Sequence, residues 1–355
     1  MWSWSDSELQ QLGRFLADHG LCGPMITAQA IGDGHSNLTF VVSDGHSQVV
    51  VRRPPPPPLP PGAHDVLREA RLLAALERTD VPTPRVRAIA AAGELLDVPV
   101  FVMDFVDGVV ITESTPAPSA DEQLRRRIGE SLVDTLAALH KVAWREVGLG
   151  DFGKPDGFNA RQLRRMRSLI AVDGALPRAF ASLDDWLHAH LPPESGTAIV
   201  HNDFRIGNMI VDIRAGCVGA VLDWELATIG DPLADLGYLL TSYPMAGEPL
   251  VPTSAMGSAV LESGYPGRAE LIDRYAERTG ADVSGVNWYL TLAMYKLAAL
   301  YEYSRRRFVS GVGDPYYADP GLVSSFLAAG ERLAAEGPIH SVGGTIFRCS
   351  GDAHR

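Results

Sequence analysis

Apolar residues in the first hundred positions follow two different periods along the chain. A capping box at residues 5–8 precedes leucines at 9, 12 and 16, and this spacing predicts an amphipathic helix. Over 26–53 the pattern changes to that of β-strands separated by glycine-containing turns. The N-terminal part of the chain is therefore predicted to contain a leading helix and a small antiparallel sheet.

A second helix pattern covers about 64–77, and a nearly continuous apolar run at 98–106 predicts a buried strand. That strand leads into Asp107-Gly108, a turn at which two lobes could meet and offer backbone groups to an adenine ring. Beyond the turn the pattern becomes mainly helical. Helical segments are predicted at 122–142, 159–191 and 288–308.

The motif His201-Asn-Asp203-Phe-Arg-Ile-Gly-Asn208 follows a short apolar strand predicted at 197–200. A hairpin is predicted next, and its second strand ends at Asp223. Asn208 and Asp223 thus lie at opposite ends of one hairpin and can converge. This arrangement is typical of phosphoryl transfer, in which magnesium is held against a polyphosphate while another group orients the attacking hydroxyl.

The three side chains divide naturally between two tasks. Magnesium prefers oxygen ligands and shares most of them with phosphate and water, so Asn208 and Asp223 would suffice as protein ligands. Asp203 is left to accept or align the proton of the acceptor hydroxyl. The alternative is a turn capped by Asp203 and a strand end at Asp223. The combined spacing favours the catalytic interpretation.

A turn at 31–38 lies ahead of this motif, and its backbone amides could face a phosphate. The candidate phosphate-binding residues are Gly34, His35, Ser36 and Asn37. Two glycines also suit an ordinary turn. The position of the turn before the catalytic motif is what favours the phosphate role.

Arg52 and Arg53 end a valine-rich strand, where a cation could neutralise phosphate charge. Neighbouring strand residues point to opposite faces, so spacing alone leaves both arginines open. Glu69 on the following helix is placed to pair with the strand cation. The alternative for Glu69 is one more solvated charge.

The composition of the 355 residues, 46% of them hydrophobic, is sufficient for two lobes. A net charge of −12 argues against a general nucleic-acid or anionic-membrane binder and would suit a cationic substrate. Three scattered cysteines and the absence of a long apolar segment predict a cytoplasmic protein without a membrane partner. Nothing in the sequence indicates an oligomeric state.

Several charged or proline-rich segments have an ordinary structural interpretation beside a functional one. Residues 54–61 contain seven prolines and predict a stiff connector, with recruitment of an SH3-like partner as the alternative. Arginines at 161–167 and 305–307 suit a solvated face and a helix C-terminus, or an anionic acceptor. Asp231 and Asp235 are interpreted as caps of a loop and a helix.

With these motifs the chain resembles the aminoglycoside phosphotransferase family over about residues 25–335. It is most similar to the bacterial branch related to the kinase-like domain of acyl-CoA dehydrogenase family members 10 and 11. The strongest matching motifs are residues 201–208 and 222–236, and weaker ones are 51–55, 68–70 and 102–106. The resemblance implies an α+β, bilobal protein-kinase-like fold. The expected parts are an antiparallel-sheet N-lobe at 1–106, a larger helical C-lobe at 107–336 and a flexible tail at 337–355.

The resemblance also implies roles for individual residues. Asp203 would be the catalytic aspartate, and Asn208 and Asp223 would be the magnesium ligands. Glu69 would be the partner of the strand cation, and Asp104 and Val106 would bind adenine through their backbones. ATP and Mg²⁺ are thus the expected cofactors, and the partner is a small-molecule hydroxyl acceptor, either aminoglycoside-like or hydroxyacyl-CoA-like.

The sequence departs from the family pattern at two positions. The usual strand lysine is Arg52, and the usual glycine between the motif histidine and aspartate is Asn202. The first change replaces a point charge by a planar fork. Neither removes a group that phosphoryl transfer requires. A nucleotide-binding pseudokinase that regulates a partner is the alternative function.

Overall fold

The structure, a computed structural model, describes residues 4–32, 37–55, 64–116 and 121–336. The candidate phosphate-binding residues Gly34, His35 and Ser36 lie outside these ranges. Most of the proline-rich segment and the predicted tail lie outside them as well. The chain divides into two compact units, each described below by itself.

The first unit comprises the described residues of 1–108, 145–149 and 219–227. Its helices and strands are α1 (Asp6–Asp18), β1 (Thr27–Ile31), β2 (Leu38–Ser43), β3 (Gln48–Arg53), α2 (Val66–Leu76), β4 (Val86–Ala90) and β5 (Val100–Asp104). The strands form one antiparallel sheet in the order β1-β2-β3-β5-β4. Pairing of β3 with both β2 and β5 places the two strand arginines in the middle of the sheet.

Both faces of β3 are buried, because a helix covers each side of the sheet. Val49 and Val51 point toward the leading helix, where Leu12 and Leu16 are fully buried. The leading helix begins with the predicted capping box, since Ser5 and Glu8 bond reciprocally. Helix α2 packs against β4 and β5. Strand alternation therefore sends Arg53 toward one helix and Arg52 toward the other.

The second unit comprises the described residues of 109–144, 150–218 and 228–336. Its elements are α3 (Glu122–Lys141), α4 (Phe158–Ile170), α5 (Arg178–Ala189), β6 (Ala198–Val200), β7 (Met209–Asp212), β8 (Cys217–Val221), β9 (Thr228–Gly230), α6 (Leu233–Thr241), α7 (Pro252–Ala255), α8 (Arg268–Thr279), α9 (Val286–Val309) and α10 (Pro320–Glu336). β6 pairs with β9, and β7 pairs with β8. The boundary between the units falls inside β8.

Helix α9 forms the centre of the second unit and packs against α4, α5, α6 and α10. Its first half is buried almost all round, including Trp288, Tyr289 and Tyr295. Gly237 of α6 lies against Tyr289, where even a Cβ would approach the Tyr289 carbonyl carbon to 2.6 Å. No helix in the described residues is long and apolar enough to span a bilayer.

The predicted leading helix, sheet strands, long central helices and 209–222 hairpin are present within a few residues of their expected bounds. The α+β assignment, with an antiparallel sheet first and a mainly helical region after it, is correct. Five of the helices and strands named above for the described residues were not predicted: β4, β9, α7, α8 and α10. The lobe bounds expected from the sequence remain a prediction.

Candidate active site

The loop after β6 carries the predicted catalytic residue, and buried hydrogen bonds hold its backbone. Asp235 accepts from the amide of His201 at 2.6 Å through Oδ2 and from the amide of Asn202 at 2.7 Å through Oδ1. Asn202 adopts φ +66°, a left-handed conformation that asparagine tolerates better than most residues. These bonds stabilise the bend that presents Asp203.

This role corrects the interpretation of Asp235 as a helix cap. Its side chain is fully buried and spans to the neighbouring loop rather than to its own helix start. His140 lies 3.4 Å from the same carboxylate. Burial acts to raise the pKa of Asp235, but the hydrogen bond and charge of His140 and the loop amides lower it overall. Asp235 therefore remains an anion that organises the loop.

Asp231 does cap its turn, accepting from the Leu233 amide at 3.1 Å. It also has partners that the capping prediction did not include. Asn159 donates to it at 2.8 Å and Tyr289 at 2.6 Å, and Ser195 bonds to it as well. Asp231 thus joins α4 and α9 to the start of α6.

Asp203 is partly exposed and oriented by two neighbours. Asn208 Nδ2 donates to the Asp203 carbonyl oxygen at 2.8 Å and to Oδ2 at 2.7 Å. Arg205 Nε lies 3.5 Å from Oδ1. Because the Asn208 nitrogen donates to Asp203, its own Oδ1 points away from that carboxylate.

Three carboxylates surround one guanidinium in the first unit. Arg52 Nε lies 2.9 Å from Glu69 Oε2, and its Nη2 donates to Asp223 Oδ1 at 2.7 Å. Glu225 lies 4.0 Å away. Burial of Glu69, reinforced by the charges of Asp223 and Glu225, raises its pKa to about 7 despite the nearby Arg52. The one guanidinium faces three carboxylates, so this cluster carries a net negative charge.

The structure distinguishes between the two strand arginines that spacing left open. Arg53 points to the opposite face, where it pairs with Glu8 at 3.4 Å and lies 5.3 Å from the Trp4 ring centre. Arg52 is the one beside Glu69. Asp223 adopts φ +63° at the end of β8, a strained conformation for a residue other than glycine.

The remaining predicted nucleotide residues in the described ranges also lie in the first unit. Asn37 is buried and donates to Glu69 at 3.5 Å, and its Oδ1 has no hydrogen-bond partner among the described residues, which exclude 33–36. Asp104 ends β5, and its amide donates to the Arg85 carbonyl at 2.9 Å. Because this amide is already bonded, the backbone group that Asp104 could offer to an adenine is its carbonyl. Val106 follows in the segment after β5, and it is half-buried.

The arginines considered for an anionic acceptor are largely committed to internal partners. Arg305 and Arg306 both bond to Glu302 at 2.7 Å. Arg167 bonds to the buried Asp184 at 2.8 Å. A cation from outside the 201–208 loop, Lys296 of α9, does contact this loop: its Nζ donates to Asn202 Oδ1 at 3.3 Å. Sequence patterning did not identify Lys296.

Comparison with known families agrees with this geometry. A profile described as the phosphotransferase enzyme family, APH, matches residues 27–272. The chain belongs to this family. Rat acyl-CoA dehydrogenase family member 11 is 32% identical over 311 residues, which cover 85% of this chain and 39% of the relative. This chain spans well under half the length of the curated members 10 and 11 that it matches.

Solved structures agree on the fold. A Ralstonia eutropha JMP134 protein, provisionally described as an aminoglycoside phosphotransferase, aligns with a TM-score of 0.78 and 30% identity. The alignment covers 93% of this chain and 98% of the Ralstonia chain. The aminoglycoside phosphotransferase APH(4)-Ia, solved with ADP and hygromycin B, aligns with a TM-score of 0.59 and 14% identity. This alignment covers 91% of this chain and 98% of the APH(4)-Ia chain. At that identity the similarity shows the fold alone. The predicted kinase-like fold is confirmed.

Proposed function

We propose that this phosphotransferase moves the γ-phosphoryl group of ATP to a hydroxyl of a small molecule in a Mg²⁺-dependent reaction. The observation that carries the proposal is the presentation of Asp203 by a loop whose backbone is fixed by buried Asp235. Asp203 would orient the acceptor hydroxyl and take its proton as the new phosphorus–oxygen bond forms. Positioning contributes more than proton removal when the transition state is loose.

The donor groups present fit a magnesium nucleotide. Three carboxylates around Arg52 leave negative charge that a divalent cation would neutralise, and the buried Oδ1 of Asn37 accepts no hydrogen bond from the part of the chain that the structure describes. Asn208 and Asp223 are the proposed magnesium ligands. When bound, the ion would neutralise phosphate charge.

The other nucleotide contacts are assigned by the same proposal. Arg52 would bind phosphate while Glu69 holds its guanidinium in place. The turn residues Gly34, His35, Ser36 and Asn37 would supply amides to the phosphates. Asp104 and Val106 would contact adenine through their backbones. The acceptor class that the family allows is broad, from aminoglycoside-like to hydroxyacyl-CoA-like alcohols.

The test is Asp203→Ala, assayed for phosphoryl transfer to a panel of hydroxylated acceptors and for thermal stabilisation by ATP with Mg²⁺. Loss of one general base should lower turnover by about a hundredfold or more while stabilisation persists. Asp185→Ala, an exposed carboxylate of α5, is the matched control. An unchanged rate in Asp203→Ala would refute the assigned role. Stabilisation of the wild type without any turnover would favour the pseudokinase alternative.

A further inference from the structure

Lys296 is a half-buried cation that forms no ion pair with a carboxylate in the described part of the chain. It lies in the buried half of α9, between Tyr295 and Leu297, and its Nζ donates to the neutral side-chain oxygen of Asn202 at 3.3 Å. An ammonium has three N–H donors. Across residues 4–32, 37–55, 64–116 and 121–336, Lys296 makes this one hydrogen bond and no ion pair. Two donors thus remain for a ligand.

The choice of lysine at this position is unusual for the chain. The 355 residues include 28 arginines and three lysines, Lys141, Lys154 and Lys296. The other two lysines are exposed. Lysine differs from arginine in being a compact point charge with rotatable donors. A half-buried lysine is thus the exception in a sequence that otherwise uses arginine, and it supplies a compact charge where an arginine would supply a planar fork.

Holding a charge at this position has a free-energy cost. Burial lowers the pKa of Lys296 to about 8; the charges of Asp235 and Asp203 act to raise it, and that of Arg165 acts to lower it. A nearby anion would offset the desolvation. Asn202 explains how the amine is aimed, because its side chain binds Lys296 while its backbone takes the left-handed bend next to Asp203.

A second cation, Arg205, lies beside Asp203. Arg205 Nε is 3.5 Å from Asp203 Oδ1, a long contact for an ion pair, and both side chains are 19% exposed. Arg205 can therefore contact a ligand that reaches Asp203. We propose that Lys296 and Arg205 form an oxyanion subsite that binds a carboxylate or phosphate group of the acceptor near the hydroxyl presented to Asp203.

This inference deepens the proposed function and rests on it. Two cations beside the catalytic carboxylate select a hydroxylated acceptor that carries its own negative charge. A polycationic aminoglycoside offers no counter-ion to Lys296 and is repelled by both groups. The net negative charge of the whole chain, which suggested a cationic acceptor, is thus outweighed locally by these two side chains.

The test uses the scarcity of lysines. Wild-type protein is labelled with a limiting amine-acylating reagent, and mass spectrometry follows Lys296 with Lys141 and Lys154 as internal controls. Matched probes are a hydroxycarboxylate and its amide, and a phosphorylated polyol and its parent alcohol. We expect the charged probe of at least one pair to slow labelling of Lys296 by about tenfold, and the neutral counterparts to have no effect. The pair that protects identifies the oxyanion as carboxylate or phosphate.

Variants separate binding from folding. Arg205→Gln should raise the probe concentration needed for protection by about tenfold, whereas Arg127→Gln, an exposed arginine of α3, should leave it unchanged. Lys296→Met should raise the KM of a charged acceptor by about tenfold with little change in the nucleotide KM, and Lys296→Arg should restore part of the loss.

The inference is overturned if no oxyanion slows Lys296 labelling relative to the other lysines, or if neutral probes protect equally. Protection of Lys296 from labelling by ATP with Mg²⁺ alone would also overturn it, because Lys296 would then bind the transferred phosphoryl group. The proposed function has its own readout: it fails if Asp203→Ala keeps full turnover, whatever the labelling shows.

Discussion

Arg52 Nη2 and Asp223 Oδ1 are 2.7 Å apart, although 171 residues separate them in the chain. The same guanidinium pairs with Glu69 through Nε at 2.9 Å. Its planar fork therefore bridges a helix carboxylate and a strand-end carboxylate at the same time. A lysine has a single charged atom and could not make the same pair of contacts in this geometry. The arginine is consequently a structural adaptation of this chain as well as a phosphate-binding candidate.

Replacement of Arg52 by Met should destabilise the first unit strongly. The change leaves Glu69 buried beside two other carboxylates, and loss of one partner of a buried pair typically costs about 3–5 kcal/mol. The urea dependence of unfolding measures this loss. Arg85→Met is the matched control, because Arg85 pairs with Glu77 but is 60% exposed. The control should cost below about 1 kcal/mol. Similar losses in both variants would contradict the structural role of Arg52.

Glu69 should make stability depend on pH in the direction opposite to that of most carboxylates. Its folded pKa is raised to about 7 by burial and by Asp223 and Glu225, so the folded state binds the proton more tightly than the unfolded state. Its contribution therefore declines as pH rises from about 4.5 toward 7, by about 1.4 kcal/mol per unit of pKa difference.

Glu69→Gln removes that titration. We expect the unfolding free energy of this variant, relative to wild type, to rise steadily across the same pH window. Parallel curves for the two proteins from acid to neutral pH would show that the Glu69 pKa is not raised. Asp65→Asn, at the cap of the same helix, controls for a general change in helix stability.

Patterning predicted the elements with strong local signals. The capping box before α1 and the leucine period of α3 determine those helices independently of the tertiary fold. Strands β4 and β9 were not predicted, and the reason is clear for β9. β9 has three residues, too few to show alternation, and it is a strand only because β6 pairs with it.

The sequence motifs predicted the part of the candidate site that lies within them. Spacing suggested the roles of Asp203, Asn208 and Asp223, and alternation along β3 correctly left Arg52 and Arg53 unresolved until the positions of the helices were known. Asp235 and Lys296 approach the catalytic loop from separate helices, so no local pattern marks them. The scarcity of lysine was the one signal in the sequence that could have identified Lys296.

Gly237→Ala should be destabilising although alanine is the better helix former. A Cβ at this position would lie 2.6 Å from the carbonyl carbon of Tyr289, which belongs to the backbone of α9 and cannot move alone. Overpacking of this kind costs about 1–3 kcal/mol or more and should exceed the gain of about 1 kcal/mol in helix propensity. Urea unfolding is the measurement. Gly150→Ala has open space around the new methyl group and should stay within about 0.5 kcal/mol of wild type.

Asp235→Asn tests whether the catalytic loop depends on a buried carboxylate. The two oxygens of Asp235 accept separate amides, from His201 and Asn202. Asparagine offers one oxygen and one NH₂ group, so one loop amide would face another donor. We expect a loss of about 1–3 kcal/mol in unfolding free energy, faster hydrogen exchange at these two amides, and lower turnover if the proposed function is correct.

The carboxylate of Asp235 should also contribute to the stability of the folded state at acidic pH. Its folded pKa is lowered overall, so its contribution is present above the unfolded pKa of about 4 and is lost as pH falls through the folded pKa. Asp235→Asn should therefore lose less stability than wild type on acidification. Asp282→Asn is the matched control, because Asp282 accepts one amide, from Ser284, which an asparagine oxygen can replace. The hydrogen-exchange measurement decides the role of Asp235. If the backbone amides of His201 and Asn202 exchange at the wild-type rate in both variants, then Asp235 does not hold the loop, and the presentation of Asp203 must have another cause.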